Sequence, residues 1–346
     1  MKILLFVPKV YSLAEMLKDG FQENNWVAKI IDYKELLPHR LNRFYERTAG
    51  LPKRITKYWV PKYFNIINQK YLEVYEQEKP DIVLIYNNQY FYPETLEIIS
   101  KKSHIVFFLG DNPLWSKTFD YNLTILKYAD LILVPDSHWQ LELSSIGINN
   151  IYCDYIGYSK KLFYPVSIIP LSIKEKYDSD IIFIGRNYAD ASGYKRTLFL
   201  NSFVGMNFKI FGTKEWNKWI PKFPDLALHF NLMTNRIDNN ELNLALNCSK
   251  VYPIDQNTGI VNGIHLRVFE IIGSGVLPIV EWRKDIDTVF GNTLPVISNY
   301  NQARAIAKKY LDDEETRLHT VKKLRNLLNE FYTPSLYTAR LIKRIE

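Results

Sequence analysis

Residues 257–281 read NTGIVNGIHLRVFEIIGSGVLPIVE, and this stretch indicates the fold of the half of the chain that contains it. A glycine-containing loop leads into an apolar helix, Leu266–Gly273. Gly273 and Gly275 end that helix before a buried strand, Leu277–Glu281. The start of such a helix offers unpaired N–H groups and a partial positive charge, which suit a pyrophosphate.

Two charged side chains follow the start of this helix. Arg267 lies in the first turn, where a cation opposes the helix dipole unless an anion neutralises it. Glu270 lies one turn further on the same face, where a carboxylate can accept hydrogen bonds from both hydroxyls of a ribose. The alternative is an ordinary Arg267–Glu270 ion pair at a capped helix. His265 likewise either contacts a phosphate or caps the helix.

The same alternation of strand and helix extends along the chain in both directions. Predicted strands are Lys2–Val7, Val27–Ile31, Asp81–Tyr86, His104–Leu109, Leu131–Val134, Ile151–Tyr155, Asp180–Gly185, Phe208–Gly212, Val251–Ile254 and Leu277–Glu281. Helical spacing separates most of them, so we predict two parallel, doubly wound α/β sheets.

A break near Pro165 and Pro170, followed by a charged run, divides the two halves. The predicted domains are residues 1–165 and 179–332, with a linker at 166–178 and a last helical segment at 333–346.

Composition excludes several classes of protein. The chain has 346 residues, 47% of them hydrophobic and 23% charged, which predicts about two globular domains and excludes a disordered chain. Only Cys153 and Cys248 occur, without a CxxC pair, which excludes a disulfide scaffold and a cysteine-based zinc site. Apolar runs are too short for a membrane span or a secretion signal, so we expect a cytoplasmic protein. The net charge, 44 − 37 = +7, favours an anionic partner.

Gly263–Glu281 resembles the donor-binding segment of GT-B glycosyltransferases. It is closest to the pattern Arg-x-Phe-Glu-x-x-small-x-Gly of CgeB-like and group 1 glycosyl transferases, which here runs from Arg267 to Gly275. Weaker matches occur in the family's order along residues 100–285. They are Val134–Ser137, Gly147, Tyr155–Tyr158, Leu162–Pro165, Asp180–Arg186 and Lys195-Arg196.

The resemblance implies two Rossmann-like domains that face a central cleft, with a C-terminal helix crossing back to the first domain. It implies a hexosyltransferase that takes a nucleoside-diphosphate sugar, a UDP-sugar by expectation, without metal or other cofactor. Glu270 resembles the ribose-binding glutamate, and Arg186 with Lys195 or Arg196 resembles the pair that neutralises the diphosphate. Donor-binding candidates are Gly185, Arg186, Lys195, Arg196, Gly263, Ile264, His265, Leu266, Arg267 and Glu270, of which Arg186 and Glu270 are catalytic candidates.

One position departs from the family pattern. Retaining GT-B enzymes have a second glutamate eight residues before the ribose-binding one, and this chain has Asn262 there. The E-x7-E signature is therefore incomplete, although Glu270 and the phosphate loop favour retention of anomeric configuration. A non-catalytic sugar-nucleotide or glycan-binding protein, or a nucleotide-sugar 2-epimerase, is the alternative function.

Acceptor candidates lie at strand ends in the first half. Asp111 follows the strand His104–Leu109 and is a candidate general base, or else a turn residue before Pro113. Asn87 and Asn88 follow the preceding strand, and Asp136 follows the next. The implied acceptor is a glycan or a lipid-linked glycan in cell-surface polysaccharide or glycoconjugate assembly.

A basic segment, residues 39–62, holds most of the net charge. Aromatic residues interleave seven cations and one acid, Glu46. The cations are Arg40, Arg43, Arg47, Lys53, Arg54, Lys57 and Lys62. This composition suits an anionic membrane surface or glycolipid, a solvated loop, or single-stranded nucleic acid. We expect peripheral binding at the inner face of the plasma membrane, and no nucleic acid.

Overall fold

A computed structural model describes residues 1–9, 12–115 and 121–346 of the chain. These residues form two compact units. Unit 1 comprises Met1–Ile156 and Pro334–Glu346, and unit 2 comprises Gly157–Thr333.

Unit 1 is a six-stranded parallel sheet with the strand order β2-β1-β3-β4-β5-β6. Its strands are β1 Lys2–Phe6, β2 Val27–Ile30, β3 Ile82–Tyr86, β4 His104–Phe108, β5 Leu131–Val134 and β6 Ile151–Cys153. Its helices before the boundary are α1 Ser12–Glu23, α2 Tyr33–Leu36, α3 His39–Thr48, α4 Lys53–Thr56, α5 Val60–Glu78, α6 Pro93–Ile99 and α7 Ser137–Ser145.

Unit 2 has a second six-stranded parallel sheet, with the order β12-β11-β10-β7-β8-β9. Its strands are β7 Ile181–Ile184, β8 Phe208–Gly212, β9 Phe230–Leu232, β10 Val251–Ile254, β11 Leu277–Glu281 and β12 Val296–Ile297. Its helices are α8 Leu171–Tyr177, α9 Ala191–Asn201, α10 Pro224–Ala227, α11 Asn239–Asn247, α12 Leu266–Gly273, α13 Lys284–Phe290, α14 Ala303–Asp312 and α15 Glu314–Phe331. The last helix of the chain, α16 Pro334–Ile345, belongs to unit 1.

Both sheets confirm the predicted doubly wound architecture. Their central strands are continuous apolar runs that helices bury on both faces; Leu4, Val83 and Val106 are completely buried. Ligands of such sheets bind beyond the carboxyl ends of the strands, where the strand order reverses. That point lies between β1 and β3 in unit 1, and between β7 and β10 in unit 2.

Helix α16 packs closely on α1 within unit 1. A Cβ added to Gly20 would lie 2.5 Å from the Pro334 carbonyl oxygen, so only glycine permits this approach. Asn24 donates to the Ser335 carbonyl and to the Thr338 hydroxyl at 2.8 and 2.9 Å. The final helix is therefore held by backbone and side-chain contacts together.

Several elements differ from the prediction. Unit 1 ends at Ile156, before the predicted domain end at 165, because the following segment packs in unit 2, where the Tyr158 hydroxyl donates to Asn329. The predicted linker contains helix α8, and the basic segment contains helices α3 and α4. Directly before β5, Thr124–Tyr128 form a 3₁₀ helix.

Short 3₁₀ helices also occur in unit 2, at Lys214–Lys218, Ile220–Lys222 and Tyr300–Gln302. No helix among the described residues is both long enough and apolar enough to cross a membrane.

Candidate functional site

The strand-order reversal of unit 2 lies between two strands that pair over a single register position. Val251 of β10 pairs with Ile181 of β7. Further along, the buried Tyr252 hydroxyl bridges the gap, because it donates to the Ile184 carbonyl at 2.8 Å and accepts from the Ile184 amide. Residues 185–188 follow β7, and Asp255 and Gln256 follow β10, so these two loops flank the crevice.

Three buried side chains hold the loop after β7 by its carbonyl oxygens. Trp216 Nε1 donates to Gly185 at 2.9 Å, and Trp219 Nε1 donates to Tyr188 at 2.6 Å. Arg196 Nη1 donates to Arg186 between them. Carbonyls bound in this way give the loop one conformation before any ligand arrives. The two tryptophans are thus packing residues that hold this loop.

Arg196 connects the two sides of the crevice. Its Nε lies 2.9 and 3.0 Å from the two Asp255 carboxylate oxygens, and its guanidinium lies over the Tyr188 ring. Both charged side chains are buried. Burial disfavours the charged guanidinium, but the Asp255 charge and hydrogen bonds outweigh it and raise the Arg196 pKa. Arg196 therefore connects the loop after β7 to Asp255, and we call this connection the Arg196 brace. The predicted contact of Arg196 with a diphosphate has no support in this arrangement.

Lys195 contacts the carboxyl ends of β10 and β11. Its ammonium bonds Glu281 at the end of β11 and donates to the Gln256 carbonyl at 2.8 Å. The Gln256 amide N–H donates to the same Glu281 carboxylate at 2.9 Å. Arg283 and the Tyr300 hydroxyl lie 3.3 and 3.5 Å from the second carboxylate oxygen. Glu281 thus organises a cluster that the sequence did not indicate.

His265 caps the start of α12, which is the second of the two roles predicted for it. Its Nδ1 accepts a hydrogen bond from the Arg267 amide at 3.0 Å. In sequence, His265 follows the buried Gly263 and Ile264 and precedes Leu266, the first residue of α12. Burial, with the Arg267 and Arg196 charges, lowers the His265 pKa to about 3, so the imidazole is neutral near pH 7.

Arg267 and Glu270 form the ion pair that was the alternative to ligand binding. Arg267 Nη1 lies 2.9 Å from Glu270 Oε2, and the Glu270 side chain is only 6% exposed. A partly buried pair at a helix start differs from the surface pair that the sequence allowed. The contact with Arg267 holds the Glu270 carboxylate in position near the start of α12.

Two buried donor groups at this point lack hydrogen-bond partners among the described residues. They are Nε2 of the fully buried Gln256 and Nη1 of Arg267, whose contact with Glu270 lacks hydrogen-bond geometry. Buried donors are almost always satisfied, by the protein, by water or by a ligand. Both donors flank the N-terminus of α12, where an anion is also favoured by the helix dipole.

Every cation predicted for the diphosphate is paired with a carboxylate within unit 2. The pairs are Arg186–Glu215, Lys195–Glu281, Arg196–Asp255 and Arg267–Glu270. Arg186 is the least constrained, because its side chain is 75% exposed and lies 3.3 Å from Glu215. Hydrogen bonds from Thr213 and its own amide, with Arg186, lower the Glu215 pKa.

In unit 1, a strained turn follows β3 at the strand-order reversal. Asn87, Gln89 and Tyr90 have left-handed φ angles of 54°, 40° and 62°. Buried side chains of α5 fix the turn: Tyr71 donates to the Gln89 carbonyl at 2.8 Å, and Asn68 donates to the Tyr90 carbonyl at 2.9 Å. Such strain persists where surrounding structure enforces it, and it clusters at functional sites.

The side chain of Asn87 connects this turn to Asp111. Its amide nitrogen donates to Asp111 Oδ2 at 2.8 Å, and its amide oxygen accepts from the backbone of Gly110 and Asp111 at 2.7 and 3.1 Å. The Asp111 carboxylate is exposed. The structure therefore brings these two acceptor candidates together at neighbouring strand ends.

The other two acceptor candidates have structural partners. Asp136 is completely buried and caps α7 by accepting from the amides of His138 and Trp139, so its proposed contact with an acceptor needs correction. Asn88 donates to Asn122 at 2.6 Å and accepts from the Tyr90 amide. Capping explains why an aspartate stands before a helix without any ligand.

Sequence reasoning missed the roles of Asp255, Gln256 and Glu281. All three stand at the carboxyl ends of predicted strands, which is the same signal that identified Asp111. Among the described residues, no group of three or more histidine, cysteine, aspartate or glutamate side chains is arranged to hold a metal ion.

Comparisons with known proteins bear on fold and class. Residues 195–342 match a family model described as "Glycosyl transferase-like". No curated protein matches the sequence. Sucrose-phosphate synthase from Thermosynechococcus elongatus has a similar structure, with a TM-score of 0.70, 10% identity and coverage of 100% of this chain and 99% of that one.

Two further structures share the fold. One is described as "Trehalose-6-phosphate from E. coli bound with UDP-2-fluoro glucose", with a TM-score of 0.66, 11% identity and coverage of 100% and 99%. The other is HepE from Anabaena in complex with UDP-glucose, with a TM-score of 0.64, 10% identity and coverage of 99% of both chains.

The similar structures and the family match support different statements. The chain has the GT-B fold, as the sequence predicted, and residues 195–342, less than half of it, are similar to a glycosyl transferase-like family. Its matched part begins at Lys195, next to the brace residue Arg196, and therefore contains the start of α12 with Arg267 and Glu270.

Proposed function

We propose that unit 2 binds a nucleoside-diphosphate sugar and that the chain transfers its glycosyl group to an acceptor held at unit 1. The observation on which this depends is the pair of unsatisfied buried donors, Gln256 Nε2 and Arg267 Nη1, at the N-terminus of α12. A diphosphate or sugar oxygen would satisfy both, and the proposed role of Glu270 is to accept hydrogen bonds from ribose hydroxyls.

The leaving nucleoside diphosphate develops negative charge, which this site can stabilise with its own groups. Arg186 is exposed enough to turn from Glu215 toward a phosphate at small cost, since an exposed ion pair contributes little. The helix N-terminus adds amide donors. We therefore propose transfer without a metal ion, with the donor a UDP-sugar, as in the complexes of the E. coli and Anabaena proteins.

Calorimetric titration with UDP, GDP, ADP and CMP in the presence of a chelator tests the donor site. We expect one diphosphate, UDP, to bind the unaltered chain. Glu270→Ala should weaken its binding about tenfold to hundredfold, because hydrogen bonds to a charged group contribute about 1.5–3 kcal/mol. Glu330→Ala, at an exposed position of α15, is the matched control and should bind normally.

The donor proposal would be refuted if no nucleotide binds the unaltered chain. Equal binding by Glu270→Ala would refute the role of that carboxylate. Binding that appears only when Mg²⁺ or Mn²⁺ replaces the chelator would refute metal independence.

For the acceptor, we propose a glycan or lipid-linked glycan whose hydroxyl lies against Asp111, which Asn87 orients. Asp111→Asn preserves the shape of the side chain but not its charge. It should abolish transfer and leave UDP binding unchanged, whereas normal transfer would exclude Asp111. Retention is the proposed outcome, and the anomeric coupling constant of the first product measures it by NMR. Donor epimerisation without acceptor would indicate the epimerase alternative.

A further inference from the structure

The basic segment, residues 39–62, is folded into helices by an aromatic cluster. Tyr45 of α3 stacks on Tyr63 of α5 with ring centroids 4.2 Å apart, and Trp59 packs edge-on against Phe44 at 5.0 Å. The buried Tyr63 hydroxyl donates to Asn42 at 2.8 Å. The segment is therefore a fixed surface of unit 1, which argues against a solvated loop.

One stripe of this surface consists of like charges. Arg40, Arg43 and Arg47 are exposed at positions i, i+3 and i+7 of α3, so they project from one side of the helix. Among the described residues none of the three has a carboxylate partner, and Glu46, the acid of the segment, is paired with Lys34. Three uncompensated guanidinium groups repel one another unless an anionic surface lies against them.

The same segment also exposes apolar side chains. Phe44, Leu51, Ile55 and Tyr58 are 48%, 44%, 45% and 68% exposed within fifteen residues of chain. The combination of exposed aliphatic and aromatic residues with cations is that of helices lying at a bilayer interface, where charges meet headgroups and apolar groups enter the acyl boundary.

The same surface adjoins the proposed acceptor end of unit 1. Phe64 of α5 stacks on Tyr90 with centroids 4.7 Å apart, and Tyr90 belongs to the strained turn that holds Asn87 against Asp111. A surface bound to a bilayer here would place the acceptor end close to that bilayer.

We infer that the basic segment binds an anionic phospholipid bilayer and that the acceptor is therefore presented by a membrane lipid. The second part rests on the proposed function; the first does not. Single-stranded nucleic acid fits less well, because Tyr45, Trp59 and Tyr63 are already packed against one another and are not available to stack on bases. Leu51 and Ile55 would also have no partner on a nucleic acid.

Co-sedimentation of the full chain with phosphatidylcholine vesicles, with and without phosphatidylglycerol, tests the surface. We expect binding only to vesicles that contain phosphatidylglycerol. The triple variant Arg40→Gln, Arg43→Gln, Arg47→Gln should bind roughly a hundredfold more weakly. Leu51→Ser with Ile55→Ser should bind more weakly even at high salt, which screens the charges.

The matched control removes three exposed lysines of unit 2, Lys308→Gln, Lys322→Gln and Lys323→Gln, and should bind as the unaltered chain. An equal loss of vesicle binding in the lysine control, or no loss in the arginine triple variant, would overturn the proposal that the basic segment binds a bilayer. So would binding to a single-stranded oligonucleotide that displaces the vesicles. Thermal unfolding shows whether the triple variant is folded.

Nucleotide titration of the same proteins separates the two proposals. The arginine triple should bind UDP normally, and Glu270→Ala should bind vesicles normally. Vesicle binding by a chain that binds no nucleotide would leave the surface established and refute the donor site. Nucleotide binding by a chain that binds no vesicles would refute only the proposed membrane-binding surface.

Discussion

At the scale of single residues, the candidate donor site is an array of matched charges. The sequence predicted phosphate-binding cations at Arg186 and at Lys195 or Arg196, and it allowed Arg267 either an anion or an ion pair with Glu270. All four side chains have a carboxylate within 4 Å. A buried charge without a partner is unstable, so a folded chain must supply counterions where a ligand is absent. Three of those counterions, Glu215, Asp255 and Glu281, lie 29, 59 and 86 residues from their cations in sequence, whereas Glu270 follows Arg267 by three residues.

The brace formed by Arg196 predicts a large effect on stability. Arg196→Met leaves Asp255 buried without a counterion, and breaking a buried pair costs about 3–5 kcal/mol. Urea-induced unfolding should show this loss. The double variant Arg196→Met with Asp255→Leu should recover part of it, because neither charge then remains. A single variant as stable as the unaltered chain would show that the brace contributes nothing.

His265 predicts a dependence of stability on pH. Its pKa of about 3 in the folded chain is below the value of 6.5 in the unfolded chain, so the unfolded state binds a proton first. The free energy of unfolding should therefore fall as the pH decreases from 6.5 toward 3. His265→Asn supplies a side-chain oxygen as the capping acceptor in place of Nδ1 and removes the titration, so its melting temperature should fall less steeply over that range. Parallel curves for the two proteins would contradict the prediction.

At the scale of elements, strong apolar periodicity predicted well which helices and strands exist, and it predicted their boundaries approximately. The strand ahead of Asp111 and helix α12 occur where the pattern placed them. Helices α3 and α4 of the basic segment were not predicted, and the inward contacts of α3 are made by Asn42 and Tyr45 against Tyr63 of α5. Helices stabilised by aromatic stacking across two elements are not visible in the pattern of either one.

The packing of α1 on α16 predicts the cost of a single methyl group. Gly20→Ala should favour helix α1 by about 1 kcal/mol, yet its Cβ would lie 2.5 Å from the Pro334 carbonyl oxygen. Overpacking of this kind costs about 1–3 kcal/mol, so we expect a lower melting temperature. Gly50→Ala, where a Cβ would meet nothing within 4 Å, is the control. An unchanged melting temperature for Gly20→Ala would mean that α16 moves freely.

At the scale of the whole molecule, the chain passes between its two units twice, at 156–157 and at 333–334. Within unit 1, Asp154 stands just before the first passage. It accepts from Arg340 at 2.7 and 2.8 Å and from Arg344 at 3.1 Å, both on the helix that follows the second passage. The Asp154 carboxylate therefore links the two segments of unit 1 that lie next to these crossing points, residues 1–156 and 334–346.

This contact predicts how firmly the C-terminal helix is held. Asp154→Ala leaves two guanidinium groups without their shared partner, so trypsin should cleave at Arg340, Lys343 and Arg344 faster than in the unaltered chain. Mass spectrometry of timed digests measures the rate. Glu97→Ala, at an exposed position of α6, should digest at the original rate. Equal rates for Asp154→Ala would mean that other contacts hold the helix.

The sequence by itself determined the architecture and the part of the chain that holds the candidate donor site, because apolar periodicity and the loop before α12 are local properties. Residues at strand ends could be predicted, since topology alone brings them to one edge. Tertiary structure alone decided which carboxylates pair with Arg186, Lys195 and Arg196, and that Asp136 is buried while Asp111 stays exposed. These counterions and this burial depend on proximity across distant elements, and a linear pattern does not contain that proximity.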